Sequence, residues 1–127
     1  MCDQFIHEIE QLEIQKEKAL YLKATNLVKL KHNEEAMKVL DVLESMANGS
    51  KHIPCERKSD YHYLRGCVYA DTNNHKSAIL QFTKALELNP HQYKAAYARA
   101  TSYNFIGDFD KAIKDYEMGM CNDSKEQ

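Results

Sequence analysis

The segment that decides the fold is residues 59–92, SDYHYLRGCVYADTNNHKSAILQFTKALELNPHQ. When the chain is shifted against itself by 34 residues, this segment aligns with the residues that follow it, small on small and aromatic on aromatic. The aligned pairs are Gly66 with Ala100, Tyr69 with Tyr103, Ala78 with Ala112, and Phe82 with Tyr116. The polar positions between them vary, as expected of a repeat in which packing constrains only the inner faces.

The aligned positions predict that each unit is a helical hairpin. A small residue such as Gly66 lets two helices approach closely, and an aromatic residue three positions later lies on the same helix face. The segments 71–74 and 107–108 between the helices contain the Asp, Asn and Gly residues that favour turns. Pro90 ends the second helix of its unit, because proline cannot continue a helix.

A weaker unit lies upstream, where Ala24, Leu27, Ala36 and Leu40 have the same internal spacing. It precedes the next unit by 42 residues, and we place the eight extra residues in a loop. We therefore predict one all-α domain over residues 1–127. Its parts are an N-terminal helical extension (1–16), a first repeat (17–47), an inserted loop (48–58), a second repeat (59–92) and a third repeat (93–122).

The N-terminal extension places Phe5, Ile9 and Leu12 at helical spacing. These residues either cover the open side of the first hairpin or form a free amphipathic helix that binds a partner. We favour the first alternative.

Composition and charge exclude several classes of function. The net charge is −2 and the sequence has no basic stripe, which argues against nucleic acid as a partner. It has no apolar run of the roughly 18 residues that a membrane helix needs, and no secretion signal at its N-terminus. We expect a cytoplasmic protein, with the nucleus as an alternative, and we expect its four scattered cysteines to be free thiols.

Catalytic and metal-binding patterns are weak. His52 and Cys55 have ligand-like spacing, but no second pair completes a zinc site, and His62 and Cys67 would not share a helix face. No spacing suggests a nucleophile with its base. We predict that the chain is not an enzyme and needs no metal or cofactor.

The spacing of these residues resembles the tetratricopeptide repeat (TPR) family. The resemblance is in Gly66, Tyr69, Ala78, Phe82, Ala85 and Pro90 of one unit, and in Ala100, Tyr103, Gly107, Ala112 and Tyr116 of the next. The departures are His62, Arg65, Gly119 and Ser124. The resemblance implies an α-α superhelix of three tandem TPR-like hairpins that serves as an adaptor or scaffold and binds a peptide or helix of a partner protein in its concave groove.

The family pattern also implies which residues line that groove, because the first helix of each hairpin faces it. The implied groove residues are Lys18, Tyr21, Thr25, Val28, Lys29, Asp60, Tyr63, Cys67, Ala70, Asp71, Lys94, Tyr97, Thr101, Asn104 and Phe105. Tyr21, Tyr63 and Tyr97 occupy the same repeat position. They either contact a ligand or fill space between adjacent first helices, and the mixed charges do not indicate the sign of a ligand.

A second line of equivalent positions is basic: Lys23, Arg65 and Arg99. We expect these residues to pair with a carboxylate or a helix end of the neighbouring hairpin, in preference to contacting a ligand.

Two more specific functions are alternatives to the general adaptor. Co-chaperones of the family grip acidic heat-shock tails with a five-residue clamp, whose positions here are Tyr21, Thr25, Leu64, Lys94 and Ala98. Only Lys94 fits, so we reject this alternative. The other is self-association or assembly through Ile113, Tyr116 and Met120, an apolar face of the final helix that would make a homodimer through the C-terminal hairpin, unless the chain is a fragment of a longer protein.

Overall fold

The structure, a computed structural model, describes the backbone of residues 2–126 and the side chains of residues 4–54 and 56–120. Its helices are α1 (Cys2–Lys29), α2 (Asn33–Gly49), α3 (Cys55–Asp71), α4 (His75–Leu88), α5 (Tyr93–Ile106) and α6 (Phe109–Glu126). Residues 2–126 contain no strand, and consecutive helices pair into three hairpins, α1/α2, α3/α4 and α5/α6. The prediction of an all-α array of hairpins is confirmed.

The helices of each hairpin cross where both carry small residues. These are Ala24, Gly66 and Ala100 on the first helices and Ala36, Ala78 and Ala112 on the second helices, and all six are buried. At Gly66 a Cβ atom would lie 2.6 Å from Cδ1 of the Phe82 ring, so the ring occupies the space that a side chain would need. The positions aligned in the sequence are therefore the ones that packing constrains.

The three hairpin turns share one geometry. Each has a residue in the left-handed region, with φ of 66° at Lys31, 63° at Asn73 and 87° at Gly107. In each turn the next backbone N–H donates to a carbonyl five residues earlier, for example from Asn74 to Tyr69 at 2.8 Å. This bond satisfies a carbonyl that the end of the helix leaves open. The turns lie 42 and 34 residues apart, the same offsets as the repeat units.

The longer first offset is taken up mainly by helices. The connection between α2 and α3 spans only residues 50–54, so it is shorter than the predicted loop 48–58. Helices α2 and α3 have 17 residues each, whereas α4 and α5 have 14. Ile53 anchors this connection, because it is buried in the core formed by residues of α1, α2 and α3.

The N-terminal extension is continuous with α1. Phe5, Ile9 and Leu12 are exposed, so our expectation that they cover the open side of the first hairpin is wrong. The physical reason is that α1 runs on past the end of α2. Ser50 directly follows the last turn of α2, and its hydroxyl lies 3.2 Å from the carboxylate of Glu13 on α1. Phe5, Ile9 and Leu12 precede Glu13 on α1.

A buried carboxylate links the first two hairpins. Glu17 on α1 is buried and accepts two hydrogen bonds of 3.0 Å from Arg57 on α3. The hydroxyl of Tyr61, also on α3, donates to the same carboxylate, and burial raises the pKa of that phenol. Removing one partner would leave buried polar groups unsatisfied, so this cluster fixes how α3 sits on α1.

The close approach at Gly66 generates a stability prediction. An alanine normally stabilises a helix by about 0.5–1 kcal/mol relative to glycine. At Gly66 the added methyl would instead collide with the buried ring of Phe82, which would have to shift out of its packed position. We expect Gly66→Ala to lower the free energy of unfolding by about 1–3 kcal/mol, measured by urea unfolding.

Gly119→Ala in α6 is the matched control. The nearest atoms to its added Cβ are 3.8 Å away, an ordinary contact, so this variant should be as stable as the unchanged chain or more stable. A Gly66→Ala protein that is equally stable would contradict the packing explanation.

Candidate functional site

Two adjoining hollows lie along the row of first helices, where α3 contacts α1 on one side and α5 on the other. The first hollow, of about 380 Å³, is lined by Tyr21, Thr25, Val28, Lys29, Lys31, Tyr63, Leu64, Cys67, Asp71 and Lys94. The second, of about 450 Å³, is lined by Cys67, Ala70, Asp71, Asn73, His75, Phe82, Tyr97, Ala98, Thr101, Ser102 and Phe105. Cys67 and Asp71 belong to both, and we call the two hollows together the groove.

The structure brings most of the expected groove residues together. The residues that line the groove as expected are Tyr21, Thr25, Val28, Lys29, Tyr63, Cys67, Ala70, Asp71, Lys94, Tyr97, Thr101 and Phe105. Three others lie elsewhere. Lys18 lines a separate hollow beside Pro54, Asp60 accepts a hydrogen bond of 2.6 Å from Gln92, and Asn104 is exposed outside both hollows.

The three equivalent tyrosines have different environments. Tyr21 is half-buried, with the guanidinium of Arg57 4.4 Å from its ring centroid. Tyr63 packs against buried residues of α1–α3 on one side and of α4 and α5 on the other. The centroid of its ring lies 6.0 Å from that of Phe82, and burial raises the pKa of its hydroxyl. Tyr97 is exposed and meets the ring of Tyr116 edge-on at 5.4 Å. Tyr63 therefore contributes to packing, whereas Tyr97 presents its ring to solvent.

Charge is distributed unevenly along the groove. The ammonium group of Lys31 lies 2.9 Å from the carboxylate of Asp71 at the boundary between the hollows. Lys29 and Lys94 are exposed at the first hollow. The first hollow thus has three lysines against one aspartate, whereas the second has no lysine or arginine in its lining.

The second hollow contains an aromatic surface formed by Phe105 and His75, and only Phe105 was predicted from the sequence. The rings of His75 and Phe105 stack with centroids 4.5 Å apart, and Nδ1 of His75 lies 3.3 Å from the hydroxyl of Ser102. Phe105 was expected, but His75 opens the second helix of its hairpin, and only first helices were expected to line the groove. Its position immediately after the 72–74 turn was the signal that could have indicated it.

Two residues of the basic line form ion pairs, and of these only Arg65 pairs with the neighbouring hairpin as expected. Arg65 contacts Asp41 at 2.6 Å and Glu44 at 2.9 Å, both on α2 of the preceding hairpin. Arg99 binds Asp115 with two hydrogen bonds of 2.7 and 2.8 Å, and these bonds raise the pKa of Arg99.

The pair of Arg99 lies within its own hairpin, because Asp115 is on α6. Its link to the preceding hairpin is a hydrogen bond of 3.1 Å to the hydroxyl of Thr83. Lys23 is exposed on α1.

The residues considered for metal binding or catalysis are dispersed. His52 lies 3.3 Å from Glu10, and His62 lies 2.9 Å from Gln81. Among the side chains that the structure describes, no three His, Cys, Asp or Glu residues are grouped to hold a metal ion. The side chains of Cys2, Cys55 and Cys121 lie outside the described residues, and Cys67 is a free thiol.

The face of α6 expected to take part in self-association is open. Ile113 and Met120 are exposed, and Tyr116 is half-buried. Their equivalents one repeat earlier are Ile79, Phe82 and Leu86, of which Phe82 is buried and the others half-buried. No helix within residues 2–126 is long and apolar enough to span a membrane.

Helical hairpins stacked side by side, with small residues at the crossings and a 34-residue spacing, define the tetratricopeptide-repeat fold. Comparison with known proteins agrees with this class. Residues 59–92 match the family model described as tetratricopeptide repeat, so this segment is such a repeat. An uncharacterized protein of Methanocaldococcus jannaschii is 26% identical over 65 residues, which cover 51% of this chain and 76% of that protein.

Solved structures support the same fold over most of the chain. The second TPR domain of Spaghetti (RPAP3), bound to the HSP90 peptide SRMEEVD, is 18% identical with a TM-score of 0.71 and covers 90% of this chain and 97% of that one. The TPR domain of Arabidopsis FLU is 16% identical with a TM-score of 0.77 and covers 89% of this chain and 98% of that one. At these identities the similarity is one of fold.

The position of Cys67 in the wall of both hollows generates a chemical prediction. Burial raises the pKa of its thiol to about 11, which lowers the thiolate fraction at neutral pH ~100-fold relative to a thiol whose pKa is two units lower. We expect iodoacetamide to alkylate Cys67 at least ~100-fold more slowly in the folded chain than in urea. The experiment uses a chain in which Cys2, Cys55 and Cys121 are replaced by serine. Equal rates in both conditions would contradict the burial of this thiol.

Proposed function

We propose that this chain is a protein-interaction module that binds a peptide segment or helix of a partner protein in the groove. The observation that supports this proposal is that the two hollows adjoin, share Cys67 and Asp71 in their linings, and follow the row of first helices from α1 to α5. A surface of this shape suits an elongated ligand that crosses several helices.

The chemistry of the lining supports a protein ligand. Interfaces are enriched in tyrosine and phenylalanine, which offer a large contact area and lose little side-chain entropy on binding. The second hollow exposes the rings of Tyr97 and Phe105, and the first exposes the ammonium groups of Lys29 and Lys94. A partner segment with apolar side chains beside an acidic one would complement both surfaces.

An enzymatic alternative finds little support in the groove. A catalytic thiol needs a lowered pKa and a neighbouring base. Cys67 has a raised pKa because it is buried, and burial also raises the pKa of Tyr63, which lines the same hollow. The groove therefore suits binding better than nucleophilic chemistry.

Binding through the second hollow is tested by Phe105→Ala. Phe105 is 68% exposed, so its removal should leave folding intact while weakening a groove-bound partner by about 1–2 kcal/mol, roughly tenfold in Kd. Leu80→Ala on α4 is the matched control, since Leu80 is 62% exposed but lies outside the groove. Partners are first identified by an unbiased pull-down with the unchanged chain, and affinities are then measured by calorimetry.

A partner that binds Phe105→Ala and Leu80→Ala equally well would show that the second hollow is not its site. Tyr97→Ala gives a second variant in the same hollow. Tyr63→Ala is unsuitable, because Tyr63 packs against Phe82 and its loss would disturb the core.

The co-chaperone alternative gives a separate prediction. Of the clamp positions, Leu64 is buried, Ala98 is half-buried, and only Lys94 offers a charge to a carboxylate. We expect the peptide SRMEEVD to bind no more tightly than about 1 mM, near −4 kcal/mol, in fluorescence polarisation. Micromolar binding that is lost in Lys94→Ala would overturn our rejection of this function.

A further inference from the structure

Besides the groove, the chain has two exposed apolar stripes at opposite ends of the array. The edge stripe is Phe109, Ile113, Tyr116 and Met120 on α6, and the N-terminal stripe is Phe5, Ile9 and Leu12 on α1. The members of both stripes are exposed except for Tyr116, which is half-buried. Both begin with the same spacing of four and then three residues, so each forms a continuous line along one helix face.

The edge stripe continues an interface that already exists inside the chain. One repeat earlier, Ile79, Phe82 and Leu86 form the equivalent line on α4, and Ala95 of α5 is buried in the same cluster as Phe82, with Leu86 packed against it. The same kind of face is therefore covered by a helix inside the array and uncovered on α6. The occupant that fits an open face of this kind is another amphipathic helix.

The N-terminal stripe is such a helix. Phe5 and Ile9 precede Glu10, which lies beside His52, and all three members of the stripe are exposed, so the apolar line is not covered within its own hairpin. The charged residues between Phe5 and Leu12 are Glu8 and Glu10, both acidic, whereas the edge stripe is bordered by charges of both signs, including Lys114 and Glu117. An acidic surface and a surface of mixed charge do not repel each other as two surfaces of one sign would.

We propose that the N-terminal stripe of one copy docks on the edge stripe of a second copy. One such junction brings together seven partly exposed side chains and buries on the order of 700–1,000 Å², below the roughly 1,200 Å² of a stable interface. Two copies that exchange their stripes reciprocally form two junctions and bury about twice that area, which makes a closed pair the smallest stable assembly.

The junction is tested by complementation between two double variants. Ile9→Glu with Leu12→Glu disables the N-terminal stripe, and Ile113→Glu with Met120→Glu disables the edge stripe. All four side chains are more than half exposed, so the variants should fold, with helix content checked by circular dichroism. Leu80→Glu, at an equally exposed site outside both stripes, is the control, and Phe105→Ala shows whether association is independent of the groove.

Light scattering across a concentration series should show that the unchanged chain, Leu80→Glu and Phe105→Ala all associate, whereas each double variant alone stays monomeric. An equimolar mixture of the two double variants retains one intact junction, so it should form a one-to-one pair only at higher concentration than the unchanged chain needs, because one junction buries half the area of the closed pair. Cysteine substitution gives a second readout in a chain without Cys2, Cys55 and Cys121. Leu12→Cys on one copy should form a disulfide with Ile113→Cys on another.

Three results would overturn the proposal. The first is a strictly monomeric unchanged chain at high micromolar concentration. The second is association of the N-terminal double variant by itself, which would indicate a symmetric contact between two edge stripes. The third is association of the edge double variant by itself, which would indicate pairing between two N-terminal stripes.

Discussion

Each hairpin packs closely because small residues are buried on both of its helices. At Gly66 the backbone of α3 lies against the ring of Phe82, and Ala24 and Ala100 are buried at the same position of the other hairpins. This close approach leaves one apolar face of each hairpin to be covered by its neighbour. The side-by-side order of the hairpins, the row of first helices and the groove along that row all depend on it.

The row of first helices places chemically different surfaces next to one another. The first hollow is bordered by exposed lysines, and the second by exposed aromatic rings. Buried polar contacts hold the row in place. Glu17 joins α1 to α3 through Arg57 and Tyr61, and the guanidinium of Arg99 spans α4 and α6.

Equivalent repeat positions differ in role according to what covers them. Tyr63 and Tyr97 are one repeat apart, yet Tyr63 packs against Phe82 and Tyr97 is exposed beside Tyr116. Phe82 and Tyr116 are likewise equivalent, and only Phe82 is fully covered by a following hairpin. Exposed aromatic and apolar side chains therefore occur where the internal packing of the repeats stops, as at Tyr97 and along the edge stripe.

Most of the groove lining was implied by the resemblance to the TPR family. Local patterns in the sequence were enough to predict the helical hairpins, their 34- and 42-residue offsets and the small residues packed between their helices. Those features follow from local spacing, because helix faces and turn chemistry are set by residues a few positions apart. The sequence by itself did not determine that the extra residues of the first offset lengthen α2 and α3, that the N-terminal stripe stays exposed, or that His75 stacks on Phe105. These depend on where one helix ends relative to another, a relation between residues distant in the chain, and only the tertiary structure decided them.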